Sequence, residues 1–480
     1  MKNTLQFPRD FSRCVRMITL TLIAISLAVC AEAQSVTAIA SFNGQAAGSP
    51  VAPVQATDGN FYGVAGVGGV QGDGVIYRMT PTGSLSAVYS FCTLKPRCAD
   101  GKDVTVSPIL GSDGNLYGVT SYGGSSDTGV IYRVTLDGTF TVVYNLCPTN
   151  TCPDGTAVSW LTEGSDGNFY GATFDGGKHN DGEIFRVSPS GEFKVLYPFC
   201  SLADCADGGF AQSPPIQGID GNYYGVASGG GSMQGGVMYK LTPSGTYSVV
   251  RNFCSYTTSD CKGAQPLSIV QDASGNFFGV TDFAGVVGAG VLFEITSTGQ
   301  YKALHSFDAV EGYPVPGLTL GNDGKIYGKT VGGAGLNGGT IFNVTSAGVY
   351  TRVYAFSDDC VVGCSPYWGP LYQGTDGILY GANSYGGSSN AGTVFGLDNG
   401  LSPSVKTVPV AGRIGKHVLI LGNGLTGTTS VSFNGVAAVF TVESDTYIRA
   451  TVPAGATTGT VSVDTPAGTL NSSPQFIVTK

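Results

Sequence analysis

Seven times along the chain the sequence returns to one short pattern, first met as Asp58-Gly59-Asn60-Phe61-Tyr62-Gly63. About 15 residues after the start of each copy, a glycine precedes a short apolar run that ends in an aromatic residue, as in Gly74–Tyr77. Asp-Gly and Gly-Asn favour tight turns because they tolerate positive φ angles. One repeat therefore predicts four short strands joined by glycine-rich turns, which is the size of a propeller blade. The copies are 49 to 55 residues apart and begin at Asp58, Asp113, Asp166, Asp220, Ser274, Asp323 and Asp376.

The two ends of the repeat array complement each other. The seventh copy has a third strand at Thr393–Leu397 but no fourth strand after it, whereas Val36–Phe42, before the first copy, has the pattern of that missing strand. An N-terminal strand that completes the last unit would close a ring and hide the sheet edges. We therefore predict an all-β fold, with a seven-bladed β-propeller over residues 35–400 closed by the N-terminal strand. An open β-solenoid is the alternative.

Composition agrees with an all-β chain and excludes some partners. Glycine makes up 74 of the 480 residues, about 15%, and only 12% of the residues are charged. Because straight-chain charged residues favour helices and glycine disfavours them, few helices are expected. The net charge of −9 comes without clusters of Lys and Arg. We therefore expect neither nucleic acid nor anionic lipid as a partner, since both need such clusters.

The first 33 residues have the pattern of a secretory signal peptide. A basic stretch ends at Arg16, an apolar run covers Met17–Val29, and Ala31-Glu32-Ala33 offers small residues for cleavage. We predict cleavage before Gln34 and an exported protein, secreted or at the cell surface, without a transmembrane segment afterwards. An uncleaved membrane helix and lipidation at Cys30 are the alternatives.

Ten cysteines form five local pairs, which predicts short disulfide-closed loops. Zinc binding would require two pairs to converge with histidine or cysteine, but the pairs lie far apart and the chain has only three histidines. The expected bonds join Cys92 with Cys98, Cys147 with Cys152, Cys200 with Cys205, Cys254 with Cys261 and Cys360 with Cys364.

The seven units resemble the Gloeo/Verruco (GloVer) extracellular tandem repeat. The resemblance lies in a Tyr-Gly-x-Thr…Gly-Gly…Gly-x-Ile-Phe pattern and extends over all the copies. It implies an extracellular location and a repeat architecture, and it implies no defined reaction.

Residues 401–480 form a separate unit of short alternating strands, as expected for an Ig-like β-sandwich. Four motifs there look like an IPT/TIG domain: Gly422–Leu425, Val431–Gly435, Val452–Gly455 and Thr465–Gly468. This resemblance implies a spacer or adhesion module of a bacterial surface protein.

No local motif predicts a catalytic site, a metal site or a cofactor. Two G-x-G-x-x-G matches begin at Gly333 and Gly422, but β segments follow both, so they are interpreted as hairpin turns. The repeated Asp of Asp-Gly-Asn is interpreted as capping its own turn. Turn formation is also favoured over a weak cation site for a second acidic series: Asp100, Asp154 and Asp207.

Residues at which one unit departs from its siblings are the candidates for ligand binding. Lys329 stands where the other units have Val or Ala, and exposed aromatic side chains at a propeller mouth stack on sugar rings. Packing or a solvated loop is the alternative for each candidate. The candidate residues are Lys329, Trp160, Trp368, Tyr367, Asp175, Lys178, His179 and Asp181.

These observations favour a secreted, non-enzymatic surface or matrix protein that binds a polysaccharide or an envelope protein. One alternative is a glycoside hydrolase or lyase whose two carboxylates come from different blades and leave no local motif. The other is a purely structural repeat protein without a ligand.

Overall fold

The computed structural model describes residues 35–149, 152–255, 257, 261–333, 338–367 and 369–479. The predicted signal peptide at 1–33, including Cys30, and the candidate Trp368 lie outside the described residues. Within the described residues the chain is all-β, and its one helical element is the 3-10 turn Ala203–Cys205.

Seven antiparallel sheets follow one another along residues 35–398, one for each repeat, and we number them 1 to 7 in the order of the repeats. Sheet 7 takes its fourth strand from the N-terminus. The strands are Ala47–Pro50, Val54–Gln55, Phe61–Gly68, Val75–Met79 and Leu85–Ser90 in sheet 1; Ile109–Leu110, Leu116–Val119, Val130–Val134 and Phe140–Asn145 in sheet 2; Thr156–Val158, Thr162–Glu163, Phe169–Asp175, Glu183–Val187 and Phe193–Pro198 in sheet 3; Ile216–Gln217, Tyr223–Ala227, Gln234–Leu241 and Tyr247–Cys254 in sheet 4; Ala264–Gln271, Phe277–Phe283, Val291–Ile295 and Tyr301–Ser306 in sheet 5; Tyr313–Pro314, Thr319–Leu320, Ile326–Val331, Thr340–Val344 and Tyr350–Ala355 in sheet 6; and Tyr372–Gln373, Leu379–Asn383, Thr393–Asp398 and Ser35–Ser41 in sheet 7.

The N-terminal strand Ser35–Ser41 pairs antiparallel with Thr393–Asp398, with Val36 opposite Leu397. This pairing was predicted from the missing strand at the end of the array. Sheet 7 also packs against sheet 1, since the rings of Phe61 and Tyr380 lie 4.2 Å apart between their centroids.

In sheets 1, 3 and 6 two short segments pair one after the other with the same neighbouring strand, and we count the two together as the first strand. Within every sheet, an aromatic ring on the third strand then covers a glycine on the second. In sheet 5, Gly279 lies opposite Phe293 in the register, and a Cβ on Gly279 would overlap the Phe293 ring. The glycine is therefore required for close approach of the ring, which explains why Tyr-Gly and Gly-x-apolar-aromatic recur together. The pairs are Gly63 with Tyr77, Gly118 with Tyr132, Gly171 with Phe185, Gly225 with Tyr239, Gly279 with Phe293, Gly328 with Phe342 and Gly381 with Phe395.

The aspartates of the Asp-Gly turns cap those turns, as predicted. Asp58 Oδ1 accepts the Asn60 backbone N–H at 3.1 Å, and Oδ2 accepts the Tyr62 hydroxyl at 2.8 Å. In sheet 5, where Ser274 replaces the aspartate, Asp272 instead accepts the Ser274 and Asn276 N–H groups at 2.9 and 2.8 Å. The hydroxyl of the following tyrosine is likewise accepted by Asp113, Asp166, Asp220, Asp323 and Asp376.

A side-chain hydrogen bond recurs between neighbouring sheets. Gln55 Oε1 accepts the Thr375 N–H at 3.0 Å and so joins sheet 7 to sheet 1. The residue that ends the first strand accepts an N–H from the preceding sheet's turn in the same way at Glu163, Gln217, Gln271 and Gln373. The same contact thus joins five pairs of sheets, including the first with the last.

All ten cysteines of the described residues form disulfides, with the predicted local pairing. The partners are four to seven positions apart in sequence, so each bond closes one short loop. Because every one of these sulfurs is bonded to another, none is a thiolate that could bind zinc. The bonds join Cys92 with Cys98, Cys147 with Cys152, Cys200 with Cys205, Cys254 with Cys261 and Cys360 with Cys364.

Buried aspartates organise the loops that three of these disulfides close. Asp100 is fully buried beside the first disulfide and accepts the Tyr89 hydroxyl at 2.8 Å and the Thr93 N–H at 2.9 Å. Asp154 and Asp207 accept the hydroxyls of the corresponding tyrosines at 2.8 and 2.7 Å. The interpretation of this acidic series as turn-forming is therefore supported by its hydrogen bonds.

The loop between sheets 5 and 6 contains no cysteine pair and has a hydrogen-bonded His–Glu pair instead. His305 Nε2 lies 2.7 Å from Glu311 Oε2, and the His305 ring stacks on Tyr350 with centroids 3.7 Å apart. Because tyrosines occupy this position in other sheets and stack similarly, His305 is an aromatic replacement.

The C-terminal residues form two further four-stranded sheets and a parallel two-stranded pair around one apolar core. The strands are Lys406–Val408, His417–Leu421, Tyr447–Thr451 and Phe440–Val442 in one sheet; Val436–Ala437, Ser430–Phe433, Val461–Thr465 and Gly468–Asn471 in the other; and Ala411–Arg413 with Ile477–Thr479 in the pair.

Antiparallel connections alternate between two faces of the sheet array. We call the side of the Asp-Gly turns the turn face, and the side of the Gly-rich and cysteine-bearing loops the loop face. The C-terminal sheets lie on the turn face, where Thr446 Oγ1 donates to Thr57 O at 2.6 Å and Ser404 N donates to Thr375 O at 3.0 Å. Lys406 Nζ also lies 4.1 Å from the centroid of the Tyr372 ring.

Replacing a ring-covered glycine is expected to destabilise the protein. Gly279→Ala forces Phe293 to move, which costs ~1–3 kcal/mol as overpacking does elsewhere. Gly48→Ala is the control because its Cβ would meet neighbours at 3.4 Å or more. Unfolding midpoints in chemical denaturant should fall for Gly279→Ala and stay near wild type for Gly48→Ala. Additive losses in Gly279→Ala combined with Phe293→Leu would contradict the proposed clash.

Glu163 is expected to make stability depend on pH. Burial, together with nearby Asp113 and Asp166, raises its pKa to about 7. The unfolded chain loses this proton near the ordinary value of 4.5, so stability is greatest below that pH. The free energy of unfolding falls as pH rises, and it is lower by about 3 kcal/mol once the carboxyl of the folded protein has ionised.

Glu163→Gln tests this expectation because glutamine occupies the equivalent position in other sheets and accepts the same N–H. The variant should be more stable than wild type at alkaline pH, and it should lack the decline in unfolding midpoint between about pH 4.5 and 7. The reciprocal Gln217→Glu change should steepen that decline. Identical pH profiles for wild type and Glu163→Gln would contradict the assignment.

Candidate functional site

A cavity of about 1020 Å³ lies where the first strands of the sheets converge. Its walls include residues on, or leading directly into, the first strand of every sheet. In sheet order these residues are Val54, Ile109, Val158, Gln212, Leu267, Pro314 and Pro370. This one cavity is thus lined by residues of all seven sheets, and we call it the axial cavity.

Five aromatic side chains line the axial cavity. Tyr122, Tyr313 and Tyr367 are about half exposed, at 53, 51 and 45%. Trp160 and Phe174 are partly buried in the same wall. Large exposed aromatic faces in a concave site are suited to binding flat apolar surfaces.

The charged residues in the described lining are Asp103, Asp127, Asp175 and Asp282. Asp127 forms an ion pair with Lys102, 2.9 Å away. Burial raises the pKa of Asp282 above its ordinary value. The cavity is therefore apolar and aromatic, with negative charge.

The structure brings three of the predicted site residues together: Trp160, Tyr367 and Asp175 all line the axial cavity. Trp368 lies outside the described residues, although Tyr367 and Gly369 beside it are in the lining.

Lys329 does not meet the axial cavity. It is fully buried in the strand Ile326–Val331, and burial lowers its pKa to about 7. The reason is that this strand is covered by sheets on both sides, and the equivalent Val or Ala residues elsewhere also belong to the core.

Lys178, His179 and Asp181 are likewise outside the described lining of the axial cavity. Lys178 and His179 are exposed on the Gly-rich loop of sheet 3. The Lys178 backbone N–H donates to Glu183 Oε1 at 2.6 Å, so the loop is organised by its own strand. Asp181 is partly buried, and desolvation raises its pKa.

Sequence reasoning missed Tyr122, Tyr313, Asp103, Asp127 and Asp282. Tyr122 has a sequence equivalent, Tyr385, in sheet 7 that is not in the lining, so no repeat position marks it. A comparison of loop residues between repeats would have singled out Asp282, since the other copies have Gly, Ser, Phe or Val at the same distance after the Tyr-Gly-type motif.

A second cavity of about 570 Å³ lies on the turn face, between sheets 3 and 4 and the C-terminal sheets. Its lining includes Asp166, Asp220 and Arg186 on one side and Arg413 on the other. The two aspartates are already occupied with the tyrosines of their own turns. The cavity therefore lies at a contact between two structural units.

Two groups of side chains have the proximity of metal ligands but not the chemistry. Asp73 lies near Cys92 and Cys98, and Asp181 lies near Cys200 and Cys205. Both cysteine pairs are disulfides, and metal binding by cysteine requires the thiolate. In the described part of the chain, helices of the length and apolarity needed to cross a membrane were not found.

The family model for the Gloeobacter/Verrucomicrobia repeat matches residues 27–213 and 210–430. The chain belongs to this repeat family. The IPT/TIG domain matches residues 402–478, which agrees with the separate C-terminal core. Membership of this repeat family and the presence of five disulfides together indicate an extracytoplasmic protein. No curated protein matches this chain.

Several solved structures resemble the repeat-family chain distantly. The extracellular domain of a hybrid two-component system from Bacteroides thetaiotaomicron is 11% identical, with a TM-score of 0.48, covering 92% of this chain and 53% of its own. PQQ-bound aldose sugar dehydrogenase from Streptomyces coelicolor is 12% identical, with a TM-score of 0.37, covering 76% and 98%. Puromycin hydrolase is 15% identical, with a TM-score of 0.42, covering 74% and 52%. Similarity at this level carries no argument about activity.

Proposed function

We propose that this repeat-family protein is an exported, non-enzymatic binding protein that holds a polysaccharide in the axial cavity. In this proposal the seven sheets at residues 35–400 form a closed seven-bladed propeller, and residues 401–480 form an Ig-like domain at its base. The observation that carries the proposal is the axial cavity itself, with aromatic side chains in its wall.

Ring closure is supported by contacts between the ends of the array. The Gln55 to Thr375 hydrogen bond joins sheets 1 and 7 in the way that other neighbouring sheets are joined. The N-terminal strand covers the open edge of sheet 7. An open solenoid would leave sheets 1 and 7 far apart and would not explain a cavity that all the sheets line.

A sugar polymer fits the chemistry of the axial cavity. The C–H faces of a pyranose ring are apolar, whereas its hydroxyl rim forms hydrogen bonds. Tyr122, Trp160 and Tyr313 offer faces and polar hydrogen-bonding groups for these two parts. A volume of about 1020 Å³ accommodates several sugar units.

The position of the C-terminal domain indicates the face from which a ligand approaches the cavity. It lies against the turn face through Thr446 and Ser404, so the loop face remains for a ligand to approach. The disulfide-closed loops lie on that face, and their cross-links persist in an oxidising compartment. A rigid rim loses less conformational entropy on binding.

Binding by the axial cavity is tested with immobilised glycans, followed by titration of the best one. Trp160→Ala and Tyr313→Ala should each weaken binding about tenfold, equivalent to ~1.4 kcal/mol. Tyr385→Ala is the matched control because Tyr385 is a 56% exposed tyrosine in the same type of loop but outside the cavity lining. Equal affinity for all four proteins would refute the axial site, and absence of glycan binding would favour a protein ligand or a purely structural role.

The alternative of a carbohydrate-active enzyme is tested with the same glycans. A reducing-sugar assay should detect no turnover by the wild-type protein. Turnover that disappears in Asp103→Asn or Asp175→Asn would overturn the non-enzymatic proposal, because hydrolysis requires such carboxylates.

A further inference from the structure

The axial cavity has charge of one sign. Its described lining contains four aspartates and no lysine, arginine or histidine. The only cations of the chain that the structure does not describe are Lys2, Arg9, Arg13, Arg16 and Lys480. The described residues of the lining therefore contribute charge of one sign only.

Only one of these carboxylates is balanced by a described ion pair. Lys102 neutralises Asp127. For Asp103, Asp175 and Asp282, the described residues form no salt bridge. Three of the four carboxylates in the described lining therefore have no cationic partner among the described residues.

Among the four aspartates of the lining, Asp282 is the one whose ionised form is disfavoured by burial. It is partly buried at the end of the second strand of sheet 5, between Thr281 and Phe283. Desolvation is the cause of its raised pKa, and none of the described cations forms a salt bridge with it. A ligand cation beside it would replace the lost hydration and restore the ionised form.

Aromatic rings next to these carboxylates favour the same kind of ligand. Tyr122, Trp160 and Phe174 present π faces that attract cations as well as apolar C–H groups. A wall of aromatic rings and carboxylates without cations repels carboxylates and sulfates on a ligand. Uronic-acid and sulfated polymers therefore fit the cavity poorly.

We propose that the axial cavity selects glycans with free amino groups, namely polymers containing unacetylated hexosamine, over neutral and anionic glycans. This inference rests on the proposed glycan-binding function of the same cavity. The sugar faces lie on the aromatic rings, and protonated amines lie beside Asp282, Asp175 and Asp103. The amine is the group that distinguishes this ligand from its acetylated counterpart.

The test compares glucosamine oligomers with N-acetylglucosamine oligomers of equal length, at a pH where the amines are protonated and the aspartates ionised. Calorimetric titration of the wild-type protein should give at least about tenfold tighter binding of the glucosamine oligomer. Added salt should weaken that binding and leave the acetylated oligomer unaffected. Oligogalacturonate should not bind.

Asp282→Asn keeps the shape of the side chain and removes its charge. It should weaken glucosamine-oligomer binding about tenfold while leaving binding of the acetylated oligomer unchanged. Glu192→Gln is the matched control because Glu192 is exposed in a tight turn on the turn face. Thermal unfolding of each variant checks that the fold is retained.

Each remaining outcome is decisive. Equal binding of acetylated and unacetylated oligomers overturns the selectivity but leaves the proposed glycan site intact. Binding of spermidine as tightly as the glucosamine oligomer also overturns it, since spermidine has amines without sugar rings. Binding of oligogalacturonate overturns the charge argument, and absence of binding by every oligomer overturns both this inference and the proposed function.

Discussion

The contact of an aromatic ring with a bare glycine backbone on the neighbouring strand is the constraint on which each sheet depends. Because Gly279 has no Cβ, the tip of the Phe293 ring can lie against the backbone of the second strand, and the other sheets repeat this contact. The ring then occupies the space between adjacent sheets, where Phe253 packs on it with centroids 5.2 Å apart. Local register and packing between sheets are thus determined by the same pair of residues.

This constraint explains how much of the fold is predictable from sequence. A glycine and an aromatic that must meet leave a pattern in every copy, and so does an aspartate that caps its own turn, as Asp58 does. The strand that completes sheet 7 was predictable because a missing element at one end matched a spare one at the other. Interactions that recur at a constant spacing are visible in a single sequence.

The lining of the axial cavity was less predictable because it depends on which loop residues reach the centre of the array. Tyr122 and Tyr385 share the same local sequence, yet only Tyr122 is in the described lining. Lys329 departs from its siblings as a ligand-binding residue would, but its strand is covered on both sides and it is buried. Departure from a repeat identifies a special environment without revealing whether that environment is core or cavity.

Asp282 lines the cavity and differs from its equivalents in the other repeats, and within the described residues it is not compensated in the way that such differences are elsewhere in the fold. In the loop between sheets 5 and 6, His305 and Glu311 replace a tyrosine and a buried carboxylate by another paired arrangement, so the local polar groups remain satisfied. Asp282 has no such compensation among the described residues, although burial penalises its charge. Asp100, by contrast, is fully buried but accepts hydrogen bonds from Tyr89 and Thr93 of its own loop. An uncompensated charge in the wall of a cavity therefore argues that the missing partner comes from a ligand.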